Sequence, residues 1–260
     1  MNPVDLPAST STARIERFMP FWTVLRGDIR QTVRSWMYLL GMGTYAALGL
    51  GLVLHRAAMY RQAGLSQSAA ALLGELLFMA LVSGATWAVF LSAGAISGER
   101  QLLADAILCR GVSRYQYYAG KWMARVVLVS ASFLFCGAAI AGIGLCLLHY
   151  DVRADGVGVA LLWLASVFAA VVTLGVSVSA LSESTLFSVV VVWLAVHGLG
   201  VLFTMLQLEE CNPIRLCDRF SRAMREGMAF EELARSLACY AGATLLIGLV
   251  GAIGFARRDI

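Results

Sequence analysis

Six continuously apolar stretches, each of roughly twenty residues or more, divide this chain at about 36–54, 70–96, 124–148, 157–181, 186–206 and 237–256. At 1.5 Å of rise per residue each can carry a tilted helix across about 30 Å of hydrocarbon. A transmembrane barrel is a poor fit, because its strands alternate apolar and polar over about ten residues. The composition agrees: 60% of residues are hydrophobic and 14% are charged, where a soluble domain carries about a quarter charged. The expectation is an all-α, polytopic membrane protein. The links 149–156 and 182–185 are so short that the spans they join must be antiparallel neighbours.

The segment before the first span has a different character. Residues 1–11 are rich in Pro, Ser and Thr, a composition that favours disorder. From Thr12, the residues Ile15, Phe18, Trp22, Leu25, Ile29, Val33 and Trp36 recur at steps of three and four, with Arg14, Arg17, Arg26, Arg30 and Arg34 between them. This predicts an amphipathic interfacial helix kinked at Pro20. The first 35 residues have no compact apolar core, so no cleavable secretory signal is expected.

Lys and Arg then set the orientation. With the N-terminus inside, the cytoplasmic segments hold five, five and two basic residues, and the outer loops hold two, one and five. Both termini are therefore expected in the cytoplasm. The five Arg of the last outer loop, 207–236, run against the rule but are interleaved with acids. The net charge of +4 is spread over many loops, which gives no reason to expect nucleic-acid binding.

The longest polar interruption in the first two-thirds of the chain is SGERQLLADAILCRGVSRYQYYAGKWMAR, residues 97–125. Leu102, Leu103, Ala106 and Ile107 lie between Glu99 and Arg100 on one side and Arg110, Arg114, Lys121 and Arg125 on the other. That pattern predicts a short amphipathic helix, about 98–110, along the membrane surface, followed by a basic turn.

These residues also carry a resemblance. Gly98-Glu99-Arg100, Ala106-Ile107-Leu108, Arg110-Gly111-Val112-Ser113-Arg114 and Gly120-Lys121 are similar to the connector between the second and third spans of ABC-2 type permeases, the membrane subunits of ATP-driven exporters. Gly111 replaces the Pro common before Val-Ser-Arg, and Leu102-Leu103-Ala104-Asp105 replaces the usual Gly-Thr-Leu-Glu. The closing Arg257-Arg258-Asp259-Ile260 also looks like this family. The resemblance implies two domains of organisation: a cytoplasmic segment, 1–35, with a connecting helix, and a six-span permease domain, 36–260. It further implies a dimer whose pathway lies between two copies, and two copies of a separate ATPase docked at the coupling helix. Glu99, Arg100, Leu103, Ile107, Arg110 and Arg114 are then the expected ATPase-coupling residues. The sequence has no Gly-x-x-x-x-Gly-Lys-Ser/Thr run, so ATP and Mg²⁺ are expected on the partner and no catalytic residue here.

Ionisable groups inside spans are suspects for function. His197 and Glu75 are the candidate pathway residues. The alternatives are a neutral imidazole bonded to a neighbouring helix and a carboxylate at the interface. Glu183 could meet an ATPase or cap a helix with Ser182 and Ser184. In the 207–236 loop, expected to form short helices on the outer surface, Cys211 and Cys217 are disulfide candidates, with Cys239 nearby and free thiols the alternative. Cys136 and Cys146 share one span and cannot bridge. No metal-ligand spacing occurs. Two other functions compete: a permease-like subunit for assembly or maturation of a periplasmic protein or metal centre, with its partner at the 207–236 loop, and an ion-driven secondary transporter. The latter should show several buried carboxylates at mid-depth. Ser188 and His197, nine residues apart, make a poor hydrolase pair.

Overall fold

The structure is a computed structural model that describes residues 10–63, 68–99, 112–147, 152–206, 224–225 and 230–257. Seven α-helices follow in order among these residues: α1, Thr10–Val33; α2, Trp36–Ala63; α3, Ala69–Ala93; α4, Arg114–Leu147; α5, Ala154–Leu181; α6, Thr185–Met205; and α7, Phe230–Arg257. No strand occurs among the described residues. Six of the helices, α2 to α7, are long and apolar enough to cross a membrane. A short 3-10 turn, Ser97–Glu99, follows α3.

Polar side chains start the helices where the sequence offers them. Ser35 accepts from the Tyr38 N–H at 3.2 Å and Ser68 from the Ala71 N–H at 3.2 Å. Ser113 and Gln116 form a reciprocal capping box, with the Gln116 N–H donating to Ser113 Oγ and the Ser113 N–H donating to Gln116 Oε1, both at 3.2 Å. That box corrects the expected basic turn: the third span begins at Arg114, ten residues before the apolar run, and takes in Gly120-Lys121. At 34 residues, α4 is about 51 Å long, well beyond the hydrocarbon thickness. The first span likewise continues past residue 54 to Ala63, and the last begins at Phe230 inside the expected outer loop.

Helix α5 is the central element. It packs most extensively on α7 and α4, then on α3, while α1 lies along α4. Its Trp163, Leu164, Phe168, Val172 and Val176 are fully buried. Small residues bring the helices together. Gly251 faces Ser177 and the Tyr118 hydroxyl, Gly254 faces Leu181, and Gly248 faces the Trp122 ring at 3.2 Å from an added Cβ. The glycine series of the last span thus serves packing within one chain. Across the same interfaces, Trp122 Nε1 donates to Thr173 Oγ1 at 2.8 Å, and Ser177 Oγ donates to Ile247 O at 3.1 Å.

Bonds also define the two ends of the bundle. At one end Arg56 forms a forked pair with Glu75 at 2.8 and 2.9 Å, Arg225 reaches Ser68 at 2.8 Å, and the Arg153 N–H donates to Met224 O at 3.0 Å. Met224 is buried there, so residues 224–225 fasten the last loop to the bundle. The other end holds α1 and the beginning of the connector.

Candidate functional site: a buried ionic cluster at the root of the connector

The α1 helix docks on α4 by one side, with Leu25 and Ile29 of its apolar stripe half-buried. Trp22 and Val33 are exposed, whereas Asp28 and Thr32 are buried and Val24 packs against α4. What allows the approach is Gly120, where an added Cβ would lie 3.0 Å from Val24 Cγ1 and 3.3 Å from Phe21 O. One residue further along α4, Lys121 Nζ lies 3.0 Å from Asp28 Oδ1 and 2.6 Å from Glu99 Oε2. One turn on, Arg125 meets the same Asp28, with Nη2 donating to Oδ1 at 3.1 Å and Nε 2.8 Å from Oδ2 but off the hydrogen-bond axis. Its Nη1 donates to Leu91 O at 2.9 Å, in the last turn of α3, where carbonyls lack helical partners.

Two acids and two bases therefore balance. The side chains of Asp28 and Lys121 are 1% and 4% exposed and that of Arg125 is 11% exposed. Glu99, at 23%, is the most open member. It also accepts from the Tyr117 hydroxyl at 3.1 Å, and Lys121 sits 5.7 Å from the centre of the Tyr117 ring. Charges this far from water persist only when paired and hydrogen-bonded. Since α4 overshoots the hydrocarbon, Lys121, about 10 Å from its first residue, lies toward the membrane edge and not at mid-depth.

The turn carrying Glu99 is held from its other side as well. The backbone N–H groups of Ile96 and Ser97 both donate to Ser179 Oγ, at 3.1 and 3.0 Å, and Ser97 Oγ lies 3.1 Å from Thr185 Oγ1. Beyond the connector, Ser113 caps α4 and Arg114 Nη1 donates to Ala256 O at 3.2 Å, near the end of α7. Both roots of the connector are thus fixed to other helices. Arg100, Leu103, Ile107 and Arg110 lie outside the described residues, as do Cys211 and Cys217.

The remaining candidates fall elsewhere. Glu75 is half-exposed in its pair with Arg56. His197, about 18 Å along α6 from its start, lies 3.1 Å from Thr86 Oγ1 through Nε2 and stacks obliquely near Trp193. It also lines a cleft, so both readings of this residue have a structural counterpart: it bonds a neighbouring helix and it faces open space. Ser184 accepts from the Phe187 N–H at 3.5 Å, a long cap for α6. Cys136 and Cys146 form no disulfide, and no group of three or more metal-ligating side chains occurs among the described residues.

No family model and no curated protein matches the chain. The geometry itself shows what sequence reasoning left out, namely Asp28. It is the only acid between Glu16 and Glu75 and sits among five Arg, just as Lys121 is the only lysine of the chain. A lone acid in a basic helix and a lone lysine near a span were the available signals.

Proposed function

We propose that this chain is the membrane-spanning subunit of an ATP-driven exporter of the ABC-2 type, with two copies enclosing the pathway and two copies of a separate ATPase docked on the cytoplasmic connector. The observation that carries this reading is the double anchorage of the connector. A partner can shift a permease between two states only through contacts that differ between them. A push on residues 100–111 is delivered to Glu99 and Arg114, at the ends of the second and third spans, and through Lys121 and Asp28 to α1. The connector resemblance supplies the identity of the partner. In this reading Leu103 and Ile107 form the apolar contact with the ATPase and Glu99, Arg100, Arg110 and Arg114 edge it with charge. Both termini are cytoplasmic, in the plasma (inner) membrane of a bacterium, and ATP with Mg²⁺ belongs to the partner.

Gentle purification from the native host tests the proposal. A nucleotide-hydrolysing polypeptide should accompany the chain in equal copy number. Arg110→Glu should leave expression intact and lower the stimulated hydrolysis about tenfold, a change of about 1.4 kcal/mol. A chain that arrives without such a companion, or hydrolysis indifferent to Arg110→Glu, would count against it.

A further inference from the structure

We propose that the cleft bounded by α3, α5, α6 and α7 is a binding site for one acyl chain of a membrane lipid. The cleft has a volume of about 280 Å³, and its walls include Leu81, Val171, Leu174, Gly200, Ala243 and Ile247. Helix α6 packs on α3 and α5 alike and helix α7 mainly on α5, which leaves the gap between α6 and α7. Other helix crossings are closer: a Cβ added at Gly84 would lie 2.7 Å from Phe168, and one at Gly137 2.8 Å from Leu161.

The lining decides the occupant. A buried water needs two to four polar partners, and the wall is almost wholly apolar. Its most polar side chain, His197, is engaged: Nε2 lies 3.1 Å from Thr86 Oγ1, which also lies 3.1 Å from Val82 O. Left empty, the wall would forfeit its dispersion contacts. The lips, Val82 and Leu199, are exposed, as are apolar residues along the outer faces of the six membrane-length helices. The medium that reaches the cleft is hydrocarbon. With a methylene taking roughly the volume of a water, about 30 Å³, the space accepts several methylenes of one chain. The cleft lies around mid-depth, lined by 81–85 on α3, 167–174 on α5, 196–200 on α6 and 239–247 on α7, where the ends of acyl chains from either leaflet reach. This inference needs only that the helices cross a bilayer, and it stands or falls independently of any ATPase partner.

A phosphatidylethanolamine bearing a diazirine midway along one acyl chain, placed with the protein in lipid nanodiscs and photolysed, tests it. Adducts should form on 167–174 of α5 and 239–247 of α7 and should fall when excess unlabelled phosphatidylethanolamine is present. Ala243→Trp and, from the opposite wall, Ala170→Phe should each reduce them at least fivefold while adducts at Leu48 and Leu54 of α2 stay constant; the two variants guard against one misfolding. Adducts confined to outward faces, adducts equal in wild type and both filled variants, or adducts that excess lipid does not diminish would overturn the assignment.

Discussion

Lys121 joins two carboxylates carried by different elements, and each of the three depends on the others for its charge. Removing one member of a buried pair leaves an uncompensated ion, at a cost of about 3–5 kcal/mol. Asp28→Asn should therefore lower the thermal midpoint of the detergent-solubilised protein sharply. The paired change Asp28→Asn with Lys121→Gln, which leaves Glu99 and Arg125 to balance, should cost less than the sum of the single changes; strict additivity would show that the two do not act as a pair. Glu99→Gln, at the more open edge, should be milder than Asp28→Asn by the same measurement. The sequence disclosed Glu99, Lys121 and Arg125 as charges of the connector region, but neither Asp28 nor the pairing. Asp28 and Lys121 lie on separate helices far apart in the chain, and no local spacing links them. Glu99 was legible as a residue of the connector, whereas its inward bond to Lys121 is a consequence of where α3 ends.

At the scale of helices, the six spans were readable because continuous apolar sequence has few other solutions in a bilayer. Their ends were less so. Apolarity reports where hydrocarbon is crossed, while α4 starts early on its Ser113 cap, α2 runs on past residue 54 with Arg56 paired to Glu75, and α7 starts ahead of its apolar run. The capping box Ser113-x-x-Gln116 was the written signal for the early start of α4. Ser113→Ala should loosen that start by about 1 kcal/mol, seen as faster amide exchange over 114–118 with exchange over 129–140 unchanged. The register of α1 on α4 depends on Gly120. Gly120→Val should push α1 away, exposing Asp28 and speeding amide exchange across 21–32, whereas Gly43→Val, in open space on α2, should have no such effect. Equal exchange in both variants would show that close approach at Gly120 does not hold α1.

For the whole molecule, the bonds at each end make topology a sharp question. Arg61, Arg153 and Arg225 belong to the end fastened by Met224, and Arg34, Glu183 and Arg257 to the end with the ionic cluster. Counting Lys and Arg puts the second group in the cytoplasm, and cysteines at Arg61 and Arg153 should react with an impermeant thiol reagent added outside intact cells while one at Glu183 should not. Pairing of two copies was not legible, since exposed apolar residues such as Leu48, Leu194 and Leu249 suit lipid and a second copy equally. The decisive experiment concerns the connector: place a photoreactive benzoylphenylalanine at Leu103 in the native host, irradiate, and identify what is bound. An ATP-hydrolysing protein on the cytoplasmic side, captured less when Arg110 is reversed to Glu, is the expected result. Adducts with lipid alone, or labelling of Leu103→Cys from outside the cell, would contradict the coupling role.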